Sequence, residues 1–379
     1  MSKIVSKIRE NKKIVLTVGI FLLLMIVLVI FIHQKYKSQS GIIAPENPKV
    51  VVTTTGPYSI ILENFTSVHN ENEEDTTPPI LIAPGYSTVL VGSTKIPAPT
   101  YCIDNIDRNV ECEIVGEYNL LKVGEYHLER VARDKAGNET RKPFVLKVVK
   151  KFKKGARTES TLSEKHQIAD IISMYKNEET RIGIDVSKWQ GDNIDWNKVK
   201  DSGVEFVYMR LGIQNGFGGA ETLDKTFISN FKGAKAAGLE VGVYYYSYAR
   251  NIYEALGNAK FVIKTLEENN FVPDLPVAFD WESWSKLSAA GMSLNDLNDS
   301  AKIFIDTMRE FGYDGTLYSS KYYLENGFWY LPEEYTVWLA HYTSQTSYEG
   351  SYWLWQRSCT GRVPGINGDV DIDIMKKQS

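Results

Sequence analysis

The sequence contains little cysteine and little histidine, and it carries almost no net charge. Its 379 residues include three cysteines and five scattered histidines, without an H-E-x-x-H pair. These counts argue against a disulfide-rich scaffold and against a zinc site built from Cys or His. A formal net charge of −4 provides no basic field that would attract nucleic acid.

Two common catalytic motifs are also absent. The chain has neither G-x-S-x-G nor G-x-x-x-x-G-K-[ST], which argues against a lipase-type serine hydrolase and against a P-loop NTPase. The chain does contain an ordinary globular mixture, with 43% hydrophobic and 24% charged residues, and its length suits about two or three domains. All eight tryptophans fall between Trp189 and Trp355, so the C-terminal half differs chemically from the rest.

One long hydrophobic run lies near the N-terminus. Residues 14–32 form an uncharged run of 19 residues, which as a helix would span about 29 Å, roughly one bilayer core. Five basic residues and one acid precede this run, so the positive-inside rule places residues 1–13 in the cytoplasm and the rest of the chain outside. The alternative is a cleaved signal peptide, but that would have a shorter apolar core followed by small residues, whereas HQKYK follows here. We therefore predict an uncleaved transmembrane anchor.

A linker and a small β-rich domain are predicted after the anchor. Residues 33–76 are largely polar and read as a linker. Residues 77–150 alternate short apolar runs with turn signals, which is typical of an antiparallel β-sandwich. The opening TPP and the DKAGN turn at residues 134–138 resemble bacterial immunoglobulin-like modules of surface proteins. This resemblance implies a spacer or an adhesion module rather than a catalytic one.

The cysteines of this region and the segment after it leave alternatives open. Cys102 and Cys112 flank an acidic turn and could form a disulfide outside the membrane, or stay as two free thiols. Residues 151–180 read as a second linker, with a basic cluster, KKFKKGAR, and a helical stretch that carries Ile168 and Ile171. The basic cluster is interpreted as solvated, and contact with anionic wall polymers or lipid is the alternative.

From residue 181 onward, strand-like apolar runs alternate with helical periods. Eight strands are predicted, at residues 182–186, 204–212, 239–249, 275–282, 313–319, 334–342, 352–358 and 369–375. Four helices separate the first five strands, and three of these helices end at Gly203, Gly238 and Gly312. Repeated β–α units indicate parallel strands with right-handed crossovers, and eight strands close naturally as a barrel.

The last three predicted strands lack helical connections. Stretches of about ten residues join them, which is short for a crossover helix, so these strands are predicted to pair antiparallel. The predicted fold class of residues 181–379 is therefore α/β, a modified TIM-type barrel of five β/α units plus three strands. A small all-β sandwich and one N-terminal transmembrane helix precede it.

Acidic residues occupy predicted strands of this barrel, where a charge is costly unless it has a use or a partner. These acids are Asp185, Asp280, Glu282, Asp371 and Asp373. The pair in the fourth strand is spaced i, i+2 and therefore shares one face. Acids that converge on the C-terminal ends of barrel strands are the arrangement of a glycosidase, in which one protonates the leaving oxygen and another stabilises positive charge at the sugar carbon. A structural network neutralised by Arg210 or Lys188 is the alternative.

Aromatic residues lie near the same strand ends. Flat aromatic side chains can cover the apolar faces of sugar rings. The candidates for substrate binding are Tyr244, Tyr246, Trp284, Trp338, Tyr342 and Trp355. For any single one of them, packing in the core is the alternative.

Six runs of the C-terminal region resemble, in order, glycoside hydrolase family 25, the lysozymes that act as N-acetylmuramidases. The runs are GIDVSKWQGDNIDW, VEFVYMRLG, GLEVGVYYYSYA, VAFDWE, VWLAHY and LWQRSCTGRVPGINGDVDIDIM. The resemblance implies a barrel of five β/α units and three further strands. It also implies hydrolysis of the bond from N-acetylmuramic acid to N-acetylglucosamine in peptidoglycan, without a metal or another cofactor.

Roles for the acids follow from this resemblance. It implies that Glu282 is the general acid/base and that Asp280 is its partner, which either attacks the sugar directly or orients the substrate's acetamido group. Asp185 and Asp371 are implied as outer acids that hold the charge of the site and the sugar.

The sequence departs from the family at Tyr245, where His is common, and at Asp373, where Asn is common. The second change adds a negative charge and is expected to shift the pH optimum. Two other functions stay open: a barrel that only binds glycan, and a chitinase, whose D-x-x-D-x-D-x-E run reads LPVAFDWE here. The expected partners are peptidoglycan strands and the lipid bilayer, with the barrel outside the cell membrane.

Overall fold

A computed structural model describes residues 57–69, 74–96, 100–152, 165–330 and 335–377. Contacts divide the chain into residues 1–59 and residues 60–379, and the second unit is considered below. The predicted cytoplasmic segment, residues 1–13, and the predicted anchor, residues 14–32, lie outside the described residues. Within the described ranges, no helix is both long enough and apolar enough to cross a membrane.

A short helix and a small all-β module precede the barrel. Their elements are α1 (Pro57–Asn64), β1 (Ile80–Ile82), β2 (Tyr86–Leu90), β3 (Tyr101–Ile103), β4 (Glu111–Val115), β5 (Gly124–Arg133) and β6 (Glu139–Val149). Strands β1 and β3 pair antiparallel, and a second sheet has the order β2-β6-β5-β4. Leu81 of the first sheet packs with Ala132 of the second, so the two sheets share an apolar core. The DKAGN turn connects β5 to β6, where Asn138 N–H donates to Asp134 Oδ1 at 2.8 Å.

Cys102 and Cys112 form a disulfide between β3 and β4, which decides the question that the sequence leaves open. The bond closes a loop with a sequence separation of 10. Loop entropy predicts that this constraint stabilises the β-module by about 2–3 kcal/mol relative to the reduced form. Urea unfolding of the oxidised protein and of the Cys102→Ser, Cys112→Ser variant measures the difference. Equal midpoints would contradict the expectation.

The barrel follows with alternating strands and helices. Its elements are β7 (His166–Gln167), α2 (Ile168–Tyr175), β8 (Thr180–Val186), α3 (Trp196–Asp201), β9 (Phe206–Gln214), β10 (Glu221–Leu223), α4 (Phe227–Ala236), β11 (Glu240–Tyr246), α5 (Ile252–Asn269), β12 (Val277–Asp280), α6 (Leu294–Glu310), β13 (Gly315–Ser320), α7 (Lys321–Glu325), β14 (Thr336–Ala340), β15 (Leu354–Arg362) and β16 (Val370–Lys376). Gly203, Gly238 and Gly312 follow helices α3, α4 and α6 with positive φ, as their positions in the sequence predict.

Eight of these strands close a barrel in the order β8-β9-β11-β12-β13-β14-β15-β16, and β16 pairs with β8. The predicted eight strands and the predicted α/β class are therefore confirmed. Bulky side chains fill the interior, among them Phe206, Tyr208 and Trp338. A Cβ at Gly183 would lie 2.2 Å from the Phe206 ring, so glycine is needed for this packing.

The pairing of the last three strands differs from the expectation. Strand β14 is parallel to β13, and β15 is parallel to β14. Only β16 is antiparallel, both to β15 and to β8. Residues 341–353 connect β14 to β15 without a helix among them. This extended connection still joins two parallel strands, so the lack of a crossover helix did not imply antiparallel pairing.

Residues 165–180, which the sequence analysis assigns to a linker, pack on the barrel. Strand β7 pairs with Gly361 and Arg362 of β15. In helix α2, Ile168 and Ile171 are 2% and 1% exposed. The Tyr175 hydroxyl donates to the Ser344 carbonyl at 2.6 Å. The sequence shows the apolar face of this short helix, but it does not show which part of the barrel the helix covers.

This packing predicts a stability difference between two truncated chains. A chain that begins at residue 165 keeps β7 and α2, whereas one that begins at residue 181 exposes the surface beneath them. Each fully buried isoleucine contributes about 1.5–3 kcal/mol, so the shorter chain should unfold at clearly lower urea concentration. Equal unfolding midpoints would show that residues 165–180 do behave as a linker.

Candidate active site

The barrel topology brings acids from four chain positions to one mouth. Asp185 and Asp280 lie at or near the C-terminal ends of the parallel strands β8 and β12, and Glu282 follows β12 by two residues. Strand β16 runs the opposite way, so its first residues reach the same end of the barrel. Asp371 is consequently the direct cross-strand partner of Asp185.

These acids line a cleft of about 230 Å³. The cleft is lined by Asp185, Ser187, Trp189, Gln190, Arg210, Tyr244, Tyr246, Asp280, Glu282, Tyr318, Trp338, Tyr342, Gln356 and Asp371. All four predicted catalytic acids are in this set. Concave sites with a few convergent polar groups and aromatic walls are typical of ligand binding.

Asp280 and Glu282 differ in access to solvent. Asp280 is 5% exposed and its Oδ1 has no hydrogen-bond partner among the described residues. Glu282 reaches open solvent within the cleft. Burial raises the pKa of Asp280 well above its usual value, repulsion from Glu282 raises it further, and Arg210 opposes the shift. Burial also raises the pKa of Glu282, although hydrogen bonds from the hydroxyls of Tyr246 and Tyr318 partly lower it. The expected repulsion is present, but it raises the pKa of Asp280, whereas burial raises the pKa of Glu282.

A second acid group lies beside the first. Burial raises the pKa of Asp185 well above its usual value, and repulsion from Asp371 and Asp373 adds to it. The pKa of Asp371 is raised to about 7, by burial first and then by Glu282. Asp373 is fully buried, and its Oδ1 accepts a hydrogen bond from Trp338 Nε1 at 2.9 Å. Clustered carboxyls with raised pKa values are a recurrent property of catalytic sites.

A hydrogen-bond network orients Asp185. Gln356 is 5% exposed, and its Nε2 donates to Asp185 Oδ2 at 2.7 Å. The other end of this amide, Oε1, accepts the hydroxyls of Tyr318 at 2.8 Å and Tyr342 at 3.0 Å. Because both ends are engaged, the amide is fixed with its N–H groups toward the acid. The network therefore holds Asp185 in one orientation at the cleft wall.

Arg210 is the basic residue that lines the cleft. Its guanidinium donates two hydrogen bonds to Asp224 Oδ2, at 2.8 and 2.6 Å. Asp224 thus neutralises most of its charge and fixes its position. The sequence left open a structural network in which Arg210 neutralises the acids of the cleft. Arg210 instead donates its hydrogen bonds to Asp224, so it forms no ion pair with the four catalytic candidates in the described part of the chain. Lys188, the other candidate, contacts Asp224 through its backbone N–H.

The raised pKa of Asp371 predicts a pH-dependent effect on stability. Between about pH 4 and pH 7 the folded protein retains a proton that the unfolded chain releases, so stability from this group is present at low pH and lost as the pH rises through 7. Asp371→Asn removes the charge penalty and should raise the melting temperature at pH 8 by about 2–4 °C for each kcal/mol gained, with little difference near pH 4. Circular dichroism melts at both pH values measure this, with exposed Asp201→Asn as the control. A lower melting temperature for Asp371→Asn at pH 8 would contradict the expectation.

The aromatic candidates divide into two groups. Tyr244, Tyr246, Trp338 and Tyr342 line the cleft as predicted. Trp284 lies outside the cleft and stacks on Tyr323, with ring centroids 3.9 Å apart. Both residues line a neighbouring pocket, which Glu282 also lines.

Trp355 does not line the cleft. Its Nε1 donates to the His341 carbonyl at 2.8 Å, and its ring packs edge-on against Tyr175 of α2. Its position on a strand near the mouth predicts contact with a sugar ring. The ring instead packs on α2, which belongs to the segment predicted to be a linker. Core packing, the alternative stated for each aromatic residue, is what the structure shows here.

Five residues of the cleft were not among the sequence candidates: Ser187, Trp189, Gln190, Tyr318 and Gln356. Trp189 is 78% exposed on the loop after β8, and Tyr318 and Gln356 come from β13 and β15. Trp189 follows Asp185 closely in an otherwise polar loop, which is a usable sequence signal. Gln356 carries no such signal, because its importance depends on a side-chain hydrogen bond to Asp185, 171 residues away in sequence.

The two departures from the family pattern have different consequences. Tyr245 is fully buried and packs against Phe261 of α5, on the opposite face of β11 from the cleft. It therefore affects barrel packing. Asp373 adds a buried carboxyl that raises the pKa of Asp185, as its charge predicts.

The chain is similar to known proteins over this region. A model of the family described as Glycosyl hydrolases family 25 matches residues 184–366. An autolytic lysozyme of Clostridium acetobutylicum is 29% identical over 192 residues, which cover 50% of this chain and 54% of the relative. Lysozyme M1 of Streptomyces globisporus is 29% identical over 205 residues, which cover 50% of this chain and 65% of the relative. The chain thus spans about half to two thirds of these relatives.

Among solved structures, the modular autolysin LytC of Streptococcus pneumoniae in complex with a synthetic peptidoglycan ligand is 23% identical, with 65% of this chain and 56% of that chain covered and a TM-score of 0.47. The family match begins in β8 and ends before β16, so it contains Asp185, Asp280 and Glu282. Together with the closed eight-stranded barrel, it establishes that residues 184–366 of this chain form a glycosyl hydrolases family 25 domain.

Proposed function

We propose that this chain is a peptidoglycan hydrolase that cleaves the β-1,4 bond between N-acetylmuramic acid and N-acetylglucosamine. The observation that carries the proposal is the carboxyl pair of Asp280 and Glu282 in the cleft of a family 25 domain. The names of the two curated relatives, an autolytic lysozyme and lysozyme M1, support the same activity.

Glu282 is the general acid in this proposal. Its carboxyl reaches the open part of the cleft, where a glycosidic oxygen can approach, and burial raises its pKa, which favours the protonated form that a general acid needs. It transfers that proton to the leaving oxygen as the bond from the sugar carbon breaks. The same carboxylate then accepts a proton from the water that completes hydrolysis.

Asp280 supplies negative charge beneath the sugar. A covalent glycosyl intermediate and a route through the substrate's acetamido group both place positive charge next to this carboxyl. That charge favours the ionised form of Asp280, which the free cleft disfavours because the residue is buried. Substrate therefore draws the proton of the pair toward Glu282, where it is needed.

Asp185 and Asp371 act on the sugar from β8 and β16, beside the Asp280 and Glu282 pair. They are direct neighbours on β8 and β16. Carboxyls with raised pKa values can donate as well as accept hydrogen bonds, which suits hydroxyl and amide groups of the glycan. Their role is to hold the sugar and the charge of the site.

A comparison of substrates tests the proposal against its two alternatives. The purified chain should clear a suspension of bacterial walls and leave chitin intact. A chain that binds walls without clearing them would be a glycan-binding barrel. Release of sugars from chitin at a comparable rate would favour a chitinase.

We also propose that residues 14–32 anchor the protein in the cell membrane, with residues 1–13 in the cytoplasm and the barrel facing the wall. The charge bias around the hydrophobic run supports this orientation. External protease on intact protoplasts should remove the barrel and leave a small membrane-bound stub. A mature protein that begins near residue 35 and is free in the medium would overturn this proposal.

Residues 77–150 are proposed to be an immunoglobulin-like spacer between anchor and barrel. The two packed sheets and the D-x-A-G-N turn support that reading. Because all the residues that line the cleft belong to the barrel, removing the module should leave hydrolysis of dissolved wall fragments nearly unchanged. A large loss in the activity of a folded barrel would contradict a spacer role.

A further inference from the structure

We propose that Asp75, Asp104 and Asp134 of the β-module bind one calcium ion. The three residues come from separate segments: the chain before β1, the loop after β3 and the turn after β5. One carboxylate oxygen from each lies within 4.8 Å of the other two. This site is distinct from the catalytic cleft, and none of its members belongs to the barrel.

Asp104 is the observation that points to a ligand. It is 1% exposed, and its Oδ1 has no hydrogen-bond partner among the described residues. Its Oδ2 accepts the backbone N–H groups of Ile106 and Asp107, each at 2.8 Å. An unsatisfied carboxylate oxygen at this depth is costly unless a positive charge is bound beside it.

Within the ranges that the structure describes, the other two carboxylates also lack a cationic partner. Asp75 Oδ1 accepts the backbone N–H of Thr77 and the amide of Asn105, both at 3.2 Å. Asp134 accepts the backbone N–H and the side-chain amide of Asn138. The hydrogen bonds to all three acids therefore come from neutral groups, which leaves their mutual repulsion uncompensated. Burial raises the pKa of Asp104, and repulsion from Asp75 and Asp134 adds to that increase.

The donor set and its spacing favour calcium. Carboxylate oxygens are hard ligands, and calcium accepts them at about 2.3–2.6 Å in irregular geometry, so ligands on opposite sides of the ion can be about 4.6–5.2 Å apart. Magnesium needs about 2.0–2.1 Å and a near-ideal octahedron, which three carboxylates from separate segments are less suited to provide. Asn105 adjoins the group, and its buried Oδ1 also has no hydrogen-bond partner in the described part of the chain. It is a fourth oxygen available to the ion.

Calcium at this position would order the loop after β3, through which the module contacts the barrel. The Asp104 and Asn105 carbonyls accept the N–H groups of Leu294 and Asn295, at 2.8 and 3.0 Å. Farther along the same loop, Arg108 forms two hydrogen bonds with Asp296, at 2.7 and 2.8 Å. These contacts are made to the first turn of α6, so an ion bound through Asp104 would stabilise this docking.

Calorimetry on the full chain tests the proposal. After treatment with a chelator and its removal, calcium chloride titrated into the protein should bind at one ion per chain, with a dissociation constant below about 1 mM. Magnesium chloride should bind at least tenfold more weakly. Calcium should also raise the melting temperature of the wild type.

Two variants separate a calcium site from a cluster of protonated acids. Asp104→Asn should weaken calcium binding at least tenfold, and the more exposed Asp75→Asn should do the same if the first variant fails to fold. Glu117→Gln, an exposed acid of the same module, is the control and should bind calcium normally. Absence of calcium heat in the wild type, or unchanged affinity in both Asp variants, would overturn the proposal. A melting temperature that rises in Asp104→Asn and does not respond to calcium in the wild type would identify the cluster as protonated acids instead.

Discussion

Glu282→Gln is expected to lower the rate of wall hydrolysis by about 10²–10⁴, because the variant cannot donate a proton to the leaving oxygen. The glutamine has nearly the same shape and retains contact with the cleft, so binding to wall material should be unchanged. Turbidity clearing measures the rate, and sedimentation of the protein with insoluble walls measures binding. The loss should therefore appear in kcat rather than in affinity.

Glu310→Gln is the matched control for this variant. Glu310 is an exposed residue at the end of α6, and its replacement should leave the rate unchanged. Near-normal hydrolysis by Glu282→Gln, with a native circular dichroism spectrum, would remove Glu282 from the role of general acid.

Asp280→Asn is expected to cost a comparable factor for a different reason. The buried carboxylate stabilises positive charge at the sugar carbon or at the acetamido group, and a neutral amide cannot do so. Asp185→Asn and Asp371→Asn should lose less activity, because those residues hold the sugar and do not transfer the proton. Hydrolysis rates of the three variants on one wall preparation give the order directly.

Stability separates the role of Asp280 from simple disruption of the barrel. Removing a buried carboxyl whose Oδ1 has no hydrogen-bond partner in the described part of the chain should maintain or raise the melting temperature of Asp280→Asn. Asp201→Asn, on the exposed end of α3, serves as its control. If Asp280→Asn loses activity only in proportion to a loss of folded protein, the catalytic role is wrong.

The barrel could be predicted from the sequence because each strand is a short apolar run and the first helices end at glycines. The same periodicity placed Asp280 and Glu282 on one strand face, and the cleft contains both. Strand direction at the C-terminal end was not predictable in the same way. The connection between β14 and β15 has no helix, and its length alone does not distinguish a parallel return from a hairpin.

Long-range packing explains what the sequence did not reveal. Gln356 becomes important only when the closed barrel brings its side chain on β15 to Asp185 on β8, with β16 between the two strands. Trp355, its neighbour in sequence, faces the other way and packs on Tyr175. Alternation along one strand thus separates a cleft residue from a core residue, and only the register of the barrel decides which is which.

The chemical identity of the new sugar ends tests the central claim most directly. Purified peptidoglycan is digested with the wild-type chain, reduced with borohydride and hydrolysed, and the reduced amino sugar is then identified by mass spectrometry. Cleavage of the bond from N-acetylmuramic acid to N-acetylglucosamine predicts muramitol, with none formed above background by Glu282→Gln. Glucosaminitol as the product, or no new reducing ends from the wild type, would contradict the account.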